Sequence, residues 1–136
     1  MAATEVFPAV AERLATTQLA WLTTVRADGR PQSSYIWFHF DGSDVLICSL
    51  PTAGKVRNVR HSPLVSFHLN GDDVGGQVLT MDASAAVVDD VTPERLAAYL
   101  AKYDEAIRTQ LNTTPEQLRA EYSTTLRITP TRIRSW

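Results

Sequence analysis

Apolar and polar side chains alternate along several short stretches of the chain, most plainly in Leu64-Val65-Ser66-Phe67-His68-Leu69, which has the period of a half-buried strand. The same period runs from Gly75 or Gly76 to about Val88. Val78, Thr80, Asp82 and Ser84 fall on one face there, and Leu79, Met81, Ala83 and Ala85 on the other. Upstream, Leu19 to Arg26 is rich in strand formers and runs into Asp28-Gly29, a hairpin turn signal; residues 32 to 40 return as a second strand. Asp41-Gly42 turns the chain into a third, Asp44 to Ser49, so the first half predicts an antiparallel meander. The last strand, Thr124 to Trp136, puts Leu126, Ile128 and Pro130 on one side and Ile133 on the other. That change of side predicts a bulge or bend near Pro130, at a sheet edge or barrel corner.

Helical spacing interrupts this pattern. Residues 4 to 16 place Val6, Val10 and Leu14 on one stripe, with Pro8 tolerable only near the helix start. A short helix follows Ser49 and is stopped by Ser62-Pro63. Thr92-Pro93-Glu94 opens another, with Leu96, Leu100 and Tyr103 inward, and Thr114-Pro115-Glu116-Gln117 has the form of a capping box. Six antiparallel strands with helices late in the order predict a mainly β single domain spanning residues 1–136, a small closed or split barrel with peripheral helices.

Composition narrows the functional classes. With 136 residues, 44% of them hydrophobic, the chain can bury a core without disulfide or metal staples. A net charge of -2 argues against an electrostatic footprint for nucleic acid or anionic membrane, so basic residues must act locally. No apolar run is long enough to span a bilayer, and Met1-Ala2-Ala3-Thr4-Glu5 lacks the pattern of a secretion signal; the expected location is the cytoplasm. A single cysteine, Cys48, agrees with a reducing compartment.

The candidate chemistry lies in Ser49-Leu50-Pro51-Thr52-Ala53-Gly54-Lys55-Val56-Arg57-Asn58. Lys55 and Asn58 stand one turn apart where a strand gives way to a helix, whose start offers unpaired N–H groups and a positive dipole end, the makings of a phosphate seat. Gly54-Lys55 lacks the upstream glycine and following Ser/Thr of a nucleotide P-loop. Cys48 reads as a buried inert thiol, and His39, His61 and His68 lack metal-ligand spacing.

Val25-Arg26-Ala27-Asp28-Gly29-Arg30-Pro31, the aromatic strand Tyr35-Ile36-Trp37-Phe38, Ser49 with Lys55-x-x-Asn58-Val59, and Asn58-Val59-Arg60-His61-Ser62-Pro63 together resemble the pyridoxamine-phosphate-oxidase-like, FMN-binding split barrels. The closing stretch Thr129 to Trp136 is similar to the actinobacterial branch that binds the deazaflavin coenzyme F-420. The resemblance implies a six-stranded antiparallel split β-barrel and a homodimer with cofactor sites at its interface. By position it implies that Ser33, Ser34, Tyr35, Ile36 and Trp37 lie along the ring and its side chain, and that Ser49 bonds the ribityl or phosphate region, beside Leu50 and Pro51. Lys55 would neutralise the phosphate and Asn58 add a hydrogen bond. Arg57 and Arg60 would meet the carboxylates of an oligoglutamate tail, or are exposed helix charges. Gln77, after Gly75-Gly76, would reach the partner's ring.

The position before Lys55, often basic in the FMN-dependent oxidases, is Gly54, and their vitamin-binding C-terminal residues have no counterpart here. Vitamin B6 oxidation is therefore not expected. The resemblance implies instead an F-420-dependent oxidoreductase that gives a hydride to an electron-poor small molecule such as an enone, quinone or tetrapyrrole. An FMN-dependent enzyme and a non-catalytic cofactor or haem binder are the alternatives. No catalytic acid is assigned; Tyr35 and His39 are the side chains nearest the proposed ring strand.

Overall fold

The computed structural model describes residues 7–136. Helix α1 (Pro8–Thr16) starts with proline at its first position, where no backbone N–H is needed, and Val6 of the expected stripe lies outside the described residues. The strands are β1 (Leu19–Val25), β2 (Pro31–Trp37), β3 (His39–Phe40), β4 (Val45–Ser49), β5 (Leu64–His68), β6 (Leu79–Val88) and β7 (Thr124–Ser135). Helix α2 (Gly54–His61) joins β4 to β5, while α3 (Pro93–Lys102), α4 (Asp104–Thr109) and α5 (Pro115–Glu121) lie between β6 and β7. All strands form one antiparallel sheet in the order β2-β1-β5-β6-β7-β4-β3, curled into a half-barrel. Among the described residues no helix is long and apolar enough to cross a membrane.

Three differences from the expected elements have physical causes. The expected second strand breaks at Phe38, which makes seven strands of six. The Phe38 N–H is taken by the Tyr103 hydroxyl at 2.8 Å and its carbonyl by Lys102 Nζ at 2.8 Å, so helical side chains replace the neighbouring strand there. The helix that opens at Thr92 is likewise divided at Tyr103, which turns out of helical geometry at φ -110, ψ 11. Strand β6 begins at Leu79 rather than Gly75 or Gly76, because Asp72 Oδ1 accepts the N–H groups of Val74 and Gly76 and winds the segment into a loop. That loop places Gly75 at φ 86 and Gln77 at φ 55, a conformation costly for a residue with a Cβ.

The bulge near Pro130 is present. Opposite Asp82 and Ala83 of β6 stand Arg132 and Pro130, with Thr131 the extra residue, its hydroxyl on the Asp82 carbonyl at 3.0 Å. Strand β4 pairs with β7 as far as Ile128, and Pro130 follows two residues later, opposite Ala83 of β6.

The concave face carries the main core, including Leu22, Phe38, Phe67, Met81, Leu126 and Ile128, closed by Val56 and Val59 of α2 and Leu14 of α1. Each such fully buried side chain contributes roughly 1.5–3 kcal/mol. A second cluster, Leu46 with Tyr99, Tyr103, Ile107 and Leu118, packs α3–α5 on the outer face of β4. The outer face of β2, β1 and β5 carries an aromatic row instead. Tyr35 and Trp21 are paired across strands with ring centroids 4.6 Å apart, and His68 stacks on Trp21 at 6.5 Å. Tyr35 is 46% exposed and Leu64, on the same face, 67%.

Candidate functional site

A cavity of about 240 Å³ opens where β2, the end of β4, the start of α2 and the helical layer meet. Strand β2 contributes Tyr35, Ile36 and Trp37, β4 and its exit Cys48, Ser49 and Leu50, and the α2 entry Ala53 and Lys55. The opposite wall is Tyr99 of α3, Leu111 of the α4–α5 connection, Leu118 of α5 and Tyr122 just after it. Most of this lining is aromatic or aliphatic.

Lys55 is the cavity's cation. It is half-buried, burial holds its ammonium below the ordinary lysine value, and among the described residues it has no ion-pair or hydrogen-bond partner. The helix it opens is capped by Ala53, with no side chain bonded to its first N–H groups. Alanine is a poor N-cap, so the positive end of α2 is left without the side-chain acceptor that helix starts usually carry. Ser49 is buried and donates its hydroxyl to the Leu50 carbonyl at 3.0 Å, which fixes the exit from β4.

Asn58 is placed differently from the expectation that it shares a phosphate with Lys55. It is 7% exposed and does not line the cavity. Its amide nitrogen donates to Thr24 Oγ1 at 2.9 Å and to Gln32 Oε1 at 3.0 Å, so both hydrogens are used in tying α2 to β1 and β2. A helical advance of three residues does bring Asn58 under Lys55, but α2 packs on the sheet with its Val56, Val59 and Asn58 side, and only Lys55 remains at the cavity.

Other expected residues also lie outside. Ser33 is exposed on the outer face, its hydroxyl 2.8 Å from that of Thr23, and Ser34 sits two residues before Ile36 without reaching the lining. Pro51 is an exposed turn residue. Arg57 is exposed and folds back to the Thr52 carbonyl at 3.2 Å, and Arg60 is exposed. Gln77 lines a separate groove with Val10, Arg13 and Trp136, so within one chain it is not part of the Lys55 cavity.

Cys48, Ala53, Tyr99, Leu111, Leu118 and Tyr122 are cavity residues that the sequence reading did not assign. The stripe of Leu96, Leu100 and Tyr103 announced that α3 would cover something, but not that Tyr99 would cover the end of β4 or that α5 would bring Leu118 to it. The Cys48 thiol is pushed up by burial and accepts from Arg119 at 3.5 Å, an environment that disfavours the reactive thiolate. Burial likewise keeps the Tyr99 phenol protonated. None of the three histidines lines the cavity. The Tyr35 hydroxyl accepts from Asn70 at 3.1 Å, and burial with nearby Lys102 and Arg95 keeps His39 neutral.

Fold and cavity together define a β half-barrel with a solitary half-buried lysine facing aromatic walls. The chain belongs to the pyridoxamine 5'-phosphate oxidase family, whose model matches residues 6–136. Among solved structures it is similar to the conserved hypothetical protein Rv2991 of Mycobacterium tuberculosis, at 21% identity and a TM-score of 0.75 over 98% of this chain and 86% of that one. It is also similar to an F-420 reductase, at 24% identity and a TM-score of 0.68 over 95% and 98%. A third similar structure is HutZ, the haem storage protein of Vibrio cholerae, at 21% identity and a TM-score of 0.67 over 97% and 95%. At these identities the likeness is one of fold.

Proposed function

We propose that this protein is an oxidoreductase that binds the reduced deazaflavin coenzyme F-420 at the Lys55 cavity and delivers its hydride to an electron-poor organic acceptor. The observation that carries the reading is Lys55: a half-buried cation with no ion-pair partner among the described residues, at a cavity whose walls are mostly aromatic and aliphatic. Leaving a cation there is unfavourable unless an anion joins it, and a phosphate on a ring-bearing cofactor supplies both the charge and the apolar body the walls accept. When bound, the deazaflavin supplies the hydride. The chain's own part is to neutralise the phosphate with Lys55, to flank the ring with Tyr35, Ile36 and Trp37, and to exclude water with Leu111, Leu118 and Tyr122.

The similarity to an F-420 reductase along nearly the whole chain and the uncharged Gly54 before Lys55 support F-420 over FMN. The haem storage neighbour raises a haem reading, but no histidine of this chain lines the cavity to hold an iron.

The cavity's volume lies below the roughly 300–1,000 Å³ of a complete small-molecule site. A second copy of the chain completes it in this reading. Tyr35 belongs both to the cavity and to the partly exposed aromatic row with Trp21, so a homodimer formed on that row would close the site. A cytoplasmic location is proposed with this reading.

Fluorescence titration with F-420 and, in parallel, FMN tests the reading. F-420 should bind in the micromolar range or tighter and FMN more weakly, and Lys55→Ala should weaken F-420 by about tenfold or more. A preference for FMN would move the protein to flavin chemistry, and equal binding by Lys55→Ala would remove Lys55 from the site.

A further inference from the structure

Trp37 is the largest side chain in the cavity wall, and it does not stand alone. Its ring lies on that of Tyr103 with centroids 4.3 Å apart and planes 1° from parallel. Tyr103 does not line the cavity; it is 1% exposed beneath it. Its hydroxyl accepts the Phe38 N–H at 2.8 Å, and its proton is within reach of the carbonyls of Gln18 at 2.7 Å and Phe38 at 2.9 Å. Lys102, the preceding residue, donates to the same Phe38 carbonyl and stands over the Phe38 ring at 3.9 Å. Tyr99 packs on the Tyr103 ring at a tilt of 50°, with centroids 5.5 Å apart.

We propose that Tyr103 is a positioning residue for the ligand site, a fixed backing plate that sets the plane of Trp37 before any ligand arrives. Two ends of one phenol do separate work. The hydroxyl ties the α3–α4 junction to the backbone at the β2–β3 break, one residue beyond Trp37, and so stabilises the fold, while the buried ring, packed by Tyr99, leaves the indole a single orientation. A tryptophan on a strand ordinarily has more than one rotamer open to it. Here the ordering of that large side chain is completed on folding, so a ring binding against it loses less freedom, which raises affinity without any contact to Tyr103 itself. The inference rests on the cavity being the cofactor site, and it predicts a property of the empty protein that does not.

Fluorine NMR of protein labelled with fluorotryptophan separates the two. The three tryptophans give three resonances, that of Trp37 assigned by Trp37→Phe. In the ligand-free wild type, the Trp37 resonance should report a single ring-shifted environment with no fast local motion. It should stay so in Tyr103→Phe, which keeps the stack and loses the hydroxyl, and should average toward the exposed value in Tyr103→Leu. Affinity for F-420 should remain within about twofold in Tyr103→Phe, despite a lower Tm, and fall about tenfold in Tyr103→Leu. A merely structural Tyr103 would move both variants in proportion to their stability.

A mobile Trp37 in the empty wild type that becomes ordered only on adding F-420 would overturn the proposal, even if Tyr103→Leu failed to fold. So would unchanged affinity in a folded Tyr103→Leu. An ordered Trp37 in a protein that binds neither F-420 nor FMN would instead count against the cofactor reading and leave the backing role of Tyr103 in place.

Discussion

Lys55 and Asn58 are one helical turn apart and live in different environments. Burial lowers the Lys55 pKa from 10.5, because the cavity withholds water from the ammonium without offering an anion. A bound phosphate restores the charged form, so ligand binding takes up a proton once the pH exceeds the depressed value. Affinity for F-420 should therefore decline with rising pH earlier than an ordinary lysine would dictate, and Lys55→Arg, which stays charged, should flatten that decline in the same titration. Asn58 makes the contrasting prediction. Asn58→Leu leaves the Thr24 hydroxyl and the Gln32 carboxamide without their donor and should cost about 1–3 kcal/mol in urea denaturation. Its effect on F-420 affinity should be smaller than that of Lys55→Ala; the reverse order would make Asn58 a direct ligand. Both residues were legible in the sequence as a pair. Their separation was not, since the packing side of an eight-residue helix is chosen by Thr24 and Gln32 on strands distant in sequence.

The elements show the same division between local and distant causes. Alternation in β5 and β6, the glycine turns and the threonine–proline helix starts have causes within a few residues; β5 and the helix starts stand where the pattern put them, and β6 keeps its two faces and its end at Val88. The break at Phe38 has its cause in Tyr103, 65 positions away, and no reading of residues 32 to 40 contains it. The late start of β6 was closer to hand, because Asp72 followed by Gly75-Gly76 is a loop-forming set. The joint between α3 and the β2–β3 break also carries a titrating tie. Burial lowers the Lys102 ammonium to about 8. Between that value and the ordinary 10.5 the unfolded chain binds more protons than the folded one, so stability should rise with pH across this window. The neutral amine still donates to the Phe38 carbonyl. Against Lys102→Met, which cannot titrate, wild-type Tm should gain as pH goes from about 8 to about 10; a pH-independent difference between the two would show that this amine titrates normally.

For the whole molecule, the sheet sets two unlike surfaces back to back. Helices α3–α5 cover the outer face at β4, while the outer face at β2, β1 and β5 presents Tyr35, Trp21 and His68 in a row with Leu64 on the same face. In the proposed reading this partly exposed row is the surface that a second copy covers, and Tyr35, shared between the row and the cavity, joins that surface to the ligand site. Leu64 tests the connection without touching the cavity, since it is 67% exposed and outside the lining. A glutamate there would leave the fold of an isolated chain almost unchanged, surface substitutions usually shifting stability by about 0.5 kcal/mol or less. Placed at a two-fold contact, it would bury a charge twice, once from each copy. Leu64→Glu should therefore convert a dimer to a monomer in sedimentation velocity and weaken F-420 binding in parallel, with Tm measured on the monomer as the control for folding. If Leu64→Glu stayed dimeric, the aromatic row would not be the contact. If it became monomeric and bound F-420 as tightly as before, the small cavity of one chain would suffice, and the partner would have no part in the site.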